Sequence, residues 1–169
     1  KVNEGTIEVD GINIKQLDLD NYRSQIGDMT ATGELFNGSI MENLTLFEPE
    51  KYANEAIELS KILGLHDIVE AMPQSYDTPV GTGTVDLLSQ GHKQLVLIIR
   101  ALVDNPKVLL FDEANMGLDV DSDIRLRKFL VSKKGSCTMI LATHRPSLIA
   151  MGDKHVRLDD GKLTEFKWQ

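Results

Sequence analysis

Leu88-Ser89-Gln90-Gly91-His92-Lys93-Gln94, then Val108-Leu109-Leu110-Phe111-Asp112-Glu113, then Met116-Gly117-Leu118-Asp119: the fold turns on these three segments, in this order. Ser89 reads as the N-cap of a buried helix running to about Val103, with Leu95, Val96, Leu97, Ile98 and Ile99 inside. The apolar run Val108–Phe111 is continuous, the pattern of a strand buried on both faces. Asp119 then starts a helix to about Ser132, carrying Ile124, Leu126, Phe129 and Leu130, and Met139–Ala142 is a second buried strand. Strand, helix, strand in that order implies a right-handed parallel unit.

Upstream, Thr6–Val9 and Ile12–Ile14 alternate around the turn dipeptide Asp10-Gly11, and Ser24–Met29 reads as a further strand. The polar stretch Thr30-Ala31-Thr32-Gly33 interrupts any regular pattern. From Ser39 to about Met72 the pattern is helical, opened by Ile40, Leu44 and Leu46. Pro49 sits near the start of a second helix, in which Ala53, Ala56, Ile57, Ser60 and Leu63 share a face that Leu59 and Ile62 widen. Gly64 suits its C-terminus, and His66-Asp67-Ile68-Val69 starts another turn of helix. Residues 78–88, with Gly81, Thr82, Gly83, Thr84 and Asp86, read as a loop. At the other end Pro146–Met151 is a short helix, and His155–Leu158 with Lys162–Phe166 forms a hairpin around Asp160-Gly161.

The 169 residues are 41% hydrophobic and 26% charged, enough apolar material for a core. A net charge of −8 leaves no whole-chain basic footprint for nucleic acid and does not suit adhesion to an anionic membrane. The single Cys137 cannot form an intrachain disulfide. No apolar run approaches the length of a membrane span, and Lys1-Val2-Asn3-Glu4-Gly5 has the pattern of neither a signal nor a transit peptide.

Four features can carry chemistry. Ser89 and Gly91 at a helix N-terminus offer backbone N–H groups and a hydroxyl to an anion, although an ordinary N-cap looks the same. Asp112 and Glu113 come directly after a buried strand, where ligands of open α/β sheets bind. There Asp112 would hold Mg²⁺ through water and Glu113 would orient or deprotonate an attacking water, while two solvated acids at a strand end remain the alternative. Met116-Gly117-Leu118-Asp119 alone would be a turn and N-cap. His144, after the second apolar strand, could bond a terminal phosphate or be a solvated loop histidine.

As an ordered set these features resemble the ATPase subunit of an ATP-binding-cassette (ABC) transporter. Leu88-Ser89-Gln90-Gly91-His92 resembles the signature Leu-Ser-Gly-Gly-Gln, Phe111-Asp112-Glu113 the Walker B end, Leu118-Asp119 the D-loop and His144 the switch histidine. The 23 positions between Ser89 and Asp112 agree with the family's spacing, and the resemblance runs over nearly the whole chain. Leu35-Phe36-Asn37-Gly38-Ser39-Ile40-Met41-Glu42-Asn43-Leu44 and Tyr22–Gly27 look like the exporter subtype. The implied fold is α/β and P-loop NTPase-like. It is a partial RecA-like parallel sheet formed by residues 1–36 and 105–169, with an α-helical signature lobe inserted over 37–104.

The resemblance implies ATP and Mg²⁺ as ligands and ATP hydrolysis powering export, with peptide or protein one conceivable cargo. Glu113 and His144 would be catalytic, Asp112 the metal ligand, and Ser89, Gln90, Gly91, His92 and Asp119 nucleotide-facing. A second ATPase domain, docked head to tail, would be completed by this signature. Coupling helices of a membrane domain would meet Leu35–Leu44, at the cytoplasmic face of a membrane, and no nucleic-acid partner is expected.

The departures from the family are specific. No Gly-x-x-x-x-Gly-Lys-Ser/Thr occurs, and Glu4–Gly11 resembles the stretch downstream of that loop and its helix. The chain is therefore expected to begin after the loop. It should be inactive and poorly soluble or oligomeric alone, with a central strand missing beside Val108–Phe111. Ala31 stands where similar proteins place a Gln that contacts Mg²⁺ and water. Gln90 replaces a Gly and His92 a Gln of the signature, and Thr82 stands where exporters usually have an acid. Two other functions stay open: a non-enzymatic docking or dimerisation piece, and a non-transport ATPase of the same superfamily.

Overall fold

The computed structural model describes residues 4–81 and 87–168. In chain order the elements are β1 (Glu8–Val9), β2 (Ile12–Asn13), α1 (Leu19–Ser24), β3 (Ile26–Thr30), β4 (Gly38–Ser39), α2 (Ile40–Thr45), α3 (Pro49–Leu63), α4 (His66–Glu70), β5 (Pro79–Val80), α5 (Gln90–Leu102), β6 (Val108–Asp112), α6 (Val120–Ser132), β7 (Thr138–Ala142), α7 (Pro146–Ile149), β8 (His155–Asp159) and β9 (Lys162–Phe166). The main sheet has three parallel strands in the order β3-β6-β7. Two small antiparallel ribbons, β1-β2 and β8-β9, form around Asp10-Gly11 and Asp160-Gly161, where φ is positive at all four residues. Thr82, Gly83, Thr84 and Asp86 of the expected 78–88 loop, and Lys1, Val2 and Asn3, lie outside the described residues.

Two expectations about the sheet are corrected. Strand β6 is hydrogen-bonded along both edges, so no place is open beside Val108–Phe111. Among the described residues the free edges are the outer ones of β3 and β7. Nor are the strands buried on both faces. Met29, Leu109 and Phe111 are each 2% exposed, whereas Leu110 is 36% and Ile140 60% exposed. Period-2 alternation explains this: helices pack on the face bearing Met29, Leu109 and Phe111, and the described residues leave the face bearing Asp28, Leu110 and Ile140 open.

Helix α5 buries Gln94, Leu95, Val96, Ile98, Ile99 and Leu102, and its N-cap Ser89 accepts the His92 N–H at 3.2 Å. Helix α3 begins at Pro49 and ends at Gly64, whose φ of +87° needs a residue without a Cβ. Its core face is Ala56, Leu59, Ser60 and Leu63. Ile62 stays exposed, as does Ile124 of α6, and both line an open groove with Arg125 and Phe129. Ser39 and Glu42 close a capping box on α2. Leu46, expected within the apolar face, is instead the exposed, left-handed C-cap of α2.

Strand β3 packs closely on the end of α5. A Cβ at Gly27 would collide with the Ala101 carbonyl and lie 2.7 Å from Leu109 Cδ2 and 2.9 Å from Pro106 Cγ. Gly27→Ala is therefore expected to destabilise the protein by about 2 kcal/mol, read as a lowered Tm. At the start of α6, Asp119 accepts the Ser122 N–H at 2.7 Å, with the Ser122 hydroxyl 3.2 Å from its other oxygen. That backbone bond, above all, holds the Asp119 carboxyl below its ordinary value; the Ser122 hydroxyl and His92 act in the same direction. A depressed pKa stabilises the fold above the unfolded-state value and loses that contribution as pH falls through the folded-state value. Asp119→Ala should thus cost about 1 kcal/mol at neutral pH. The Tm gap to the unaltered protein should narrow below about pH 4.

Candidate active site

The parallel register brings three chain exits to one edge. Thr30 pairs with Asp112 and Asp112 with Ala142, so the next residues, Ala31, Glu113 and Thr143, leave the sheet side by side. This is the carboxyl edge, where open α/β sheets bind ligands. Glu113 turns the chain with a φ of +48°, a left-handed conformation that is uncommon for a residue with a Cβ. Its N–H donates to the Ala142 carbonyl at 3.0 Å, which ties the exit of β6 to that of β7.

The Glu113 carboxylate is three-quarters buried. Its Oε1 accepts the His144 backbone N–H at 2.9 Å and lies 2.8 Å from His144 Nδ1. Among the described residues its Oε2 is buried without a partner. An ionised carboxylate only accepts, so the His144 ring presents Nδ1–H to it and leaves Nε2 toward solvent. The imidazole is 78% exposed. One oxygen held and the other uncommitted suits a group that takes a proton from a small nucleophile. Asp112, one residue earlier, is exposed at the strand end.

The second group of expected site residues gathers elsewhere. Ser89 and Gln90 are exposed at the tip of α5. Gly91 packs on the turn before α6, where a Cβ would lie 2.8 Å from the Gly117 carbonyl oxygen. A Cβ at Gly117, whose φ is +81°, would lie 3.9 Å from Gln90 Cγ. His92 is near enough to Asp119 to favour its charged form. The structure thus joins Glu113 to His144, and Ser89–His92 to the turn ending at Asp119.

Several supporting residues carried no role in the sequence reading. Gln94, 2% exposed, donates to the carbonyls of Thr30 at 2.9 Å and Ala114 at 2.7 Å. Asn115, fully buried, donates to Asp123 at 2.6 Å; Asp123 pairs with Arg145 at 3.1 Å, and Arg145 returns a bond to the Asn115 carbonyl at 3.3 Å. Because Arg145 is the neighbour of His144 in the chain, this loop of bonds holds the histidine segment against α6. The only sequence signal for Gln94 was one amide beside five apolar residues in a helix. Nothing local marked Asn115. Among the described residues, no cluster of three or more His, Cys, Asp or Glu is placed to hold a metal ion.

Residues 1–116 match the family model described as ABC transporter. P-glycoprotein 14 of Caenorhabditis elegans is 37% identical over 161 residues, covering 95% of this chain and 12% of that protein. A putative multidrug export ATP-binding/permease protein of Staphylococcus aureus is 38% identical over 165 residues, covering 97% of this chain and 28% of the relative. A bacterial Atm1-family ABC exporter, solved with ATP bound, superposes with a TM-score of 0.86 at 34% identity, over 96% of this chain and 28% of that one. The chain therefore spans between about an eighth and a little over a quarter of the length of these relatives. Its parallel α/β core, with a signature-like segment opening α5 and a Glu–His pair at the carboxyl edge, belongs to the ABC transporter family.

Proposed function

We propose that this chain is part of the ATP-hydrolysing domain of an exporter, and that hydrolysis is an activity of the intact protein rather than of these residues alone. The observation that carries the reading is the Glu113–His144 pair, with a buried, unpartnered carboxylate oxygen beside an exposed imidazole. A relative named as a multidrug export ATP-binding/permease protein at 38% identity, and a neighbouring ABC exporter structure solved with ATP bound, support it. We assign residues 37–104 to a helical lobe and the remainder to the sheet core.

In this mechanism the Glu113 carboxylate receives the proton of a water whose oxygen bonds to the terminal phosphorus of ATP as the bond to ADP breaks, leaving ADP and phosphate, while His144 holds the carboxylate in place. With Nδ1–H kept on Glu113, His144 would reach the terminal phosphate as the doubly protonated ring, donating from Nε2–H as charge develops there. Asp112 fits magnesium: the ion keeps several waters and needs one or two carboxylates beside phosphate oxygens, and one exposed carboxylate stands at this strand end. When bound, the ion neutralises charge on the phosphates. The Ala31 side chain adds no oxygen to that set. Ser89 is exposed at a helix N-terminus and, with the half-buried Gly91 backbone, would clamp nucleotide in a second ATPase domain docked head to tail, with Gln90, His92 and Asp119 beside them.

A membrane domain would dock on the segment Leu35–Leu44. Phe36 is 50% exposed, and Leu46 and Phe47 are each 48% exposed; the two phenyl rings lie 6.1 Å apart. This apolar patch supports contact with the coupling helices of a membrane domain at the cytoplasmic face. No helix among the described residues is long and apolar enough to cross a membrane.

Glu113→Gln in the intact protein is expected to abolish ATP hydrolysis while leaving MgATP binding, measured by phosphate release and equilibrium nucleotide binding. Unchanged hydrolysis refutes the role of Glu113. The pair Gln90→Gly with His92→Gln is expected to raise turnover, because a side chain at position 90 crowds the approach of backbone to phosphate. An ATPase rate untouched by that double change rules out a weakened signature.

A further inference from the structure

Helix α5 holds the chain on the far side of the site as well as opening with Ser89. Gln94, Leu97 and Arg100 are spaced three residues apart and share one face of the helix. Gln94 donates to the carbonyls of Thr30, the last residue of β3, and of Ala114, the residue after Glu113. Leu97 supports the middle of the next loop: a Cβ at Gly33 would lie 2.8 Å from Leu97 Cδ1. Arg100 donates to the carbonyl of Glu34 at 3.2 Å, to the carbonyl of Asn43 at 2.9 Å and to Asn43 Oδ1 at 2.5 Å. Its guanidinium stacks 4.5 Å from the centre of the Phe36 ring. Asn43, fully buried, passes the hold onward by donating to the carbonyls of Phe36 and Ser39 and accepting the Phe36 N–H.

We infer that the Gln94–Leu97–Arg100 face of α5 is a strap that positions the catalytic Glu113 and the 30–36 segment as one unit. The strap rests on the functional reading above for its catalytic meaning. Ala31 has no polar side chain with which to tie that segment to the site, so the link runs through backbone carbonyls held from α5. Gln94 suits this role chemically. One buried amide nitrogen carries two N–H donors and meets two carbonyls; a carboxylate of the same shape has no donor and would face both oxygens. Arg100 likewise uses a planar fork that a lysine cannot reproduce. Gln94 and Arg100 are positioning residues, because their hydrogen bonds go to Thr30, Ala114, Glu34 and Asn43 rather than to the site side chains.

The test uses the full-length protein in lipid nanodiscs, unaltered and as Gln94→Met, Gln94→Glu and Arg100→Lys. Two readouts are taken: deuterium uptake of peptides covering residues 30–36 and 113–119, and steady-state MgATP hydrolysis. The Gln94 variants are expected to exchange faster in both peptides. Their kcat should fall by about tenfold or more, with KM for MgATP within about twofold, since a small misplacement of a catalytic group costs rate and not ground-state binding. Arg100→Lys should speed exchange in 30–36 with a smaller fall in kcat, and it decides the matter if both Gln94 variants fail to fold. Faster exchange with an unchanged kcat overturns the proposal and leaves Gln94 as a satisfied core amide. Unchanged exchange overturns it too, as does a loss confined to KM. An unaltered protein without ATPase activity refutes the functional reading and the catalytic half of this inference, and the exchange data then judge the strap alone.

Discussion

The double pairing of β6 is the constraint on which the rest depends. Val108–Asp112 is hydrogen-bonded to β3 on one edge and β7 on the other, all three strands parallel. A parallel sheet sends every strand out at the same edge, so three loops must share that edge whatever their sequence. The Glu113–His144 contact is a consequence, since residues 31 positions apart in the chain stand on neighbouring exits. The bond from the Glu113 N–H to the Ala142 carbonyl extends the ladder by one rung past the last strand residue. That rung sets the direction in which the carboxylate leaves the sheet.

Packing then fixes where α5 lies relative to that edge. Leu95, Val96, Ile98 and Ile99 are at most 1% exposed and belong to one core with Met29, Leu109 and Phe111. Burying four such side chains contributes roughly 6–12 kcal/mol by transfer arithmetic, far more than any polar contact in the site. Polar groups carried on this helix inherit its placement. Gln94 enters the core on an otherwise apolar face, and its burial is tolerable because its amide N–H groups are given to carbonyls. Helix packing therefore aligns the site, and hydrogen bonds of modest net worth specify it.

Much of this was legible in the sequence, for reasons that can be named. Ser89, Asp119, Pro49 and Gly64 mark helix ends by their own chemistry, and each stands at the boundary of the helix it marks. The Asp10-Gly11 and Asp160-Gly161 turns carry the positive φ that such dipeptides favour. Burial was less legible. A continuous run such as Val108–Phe111 does not say which face is covered, and here Leu110 and Ile140 face outward. Helix α1, capped by Asp18, and the two-residue strands β4 and β5 are too short for periodicity to show. The Gln94 and Arg100 bonds join residues 20 to 66 positions apart, a separation that no local pattern encodes.

The departures from the family pattern fall on a particular side of this geometry. The residues proposed to act from within the chain at the sheet edge, Asp112, Glu113 and His144, are of the types the family resemblance implies, and their positions are set by the β6 ladder. Gln90 and His92 are at the tip of α5, whose site is shared with another molecule in the proposed arrangement. There the Gln90 side chain is exposed, and it would come only to ordinary contact distance of a Cβ at Gly117. A substitution at the tip therefore leaves the core and the sheet edge undisturbed. The same holds at Ala31, where a short apolar side chain stands on the loop while the carbonyl of the preceding Thr30 is anchored by Gln94. A scaffold that holds the loops at its sheet edge through backbone carbonyls can change the side chains on those loops without moving them. This is the physical condition under which residues at such an edge can vary while the domain keeps its shape.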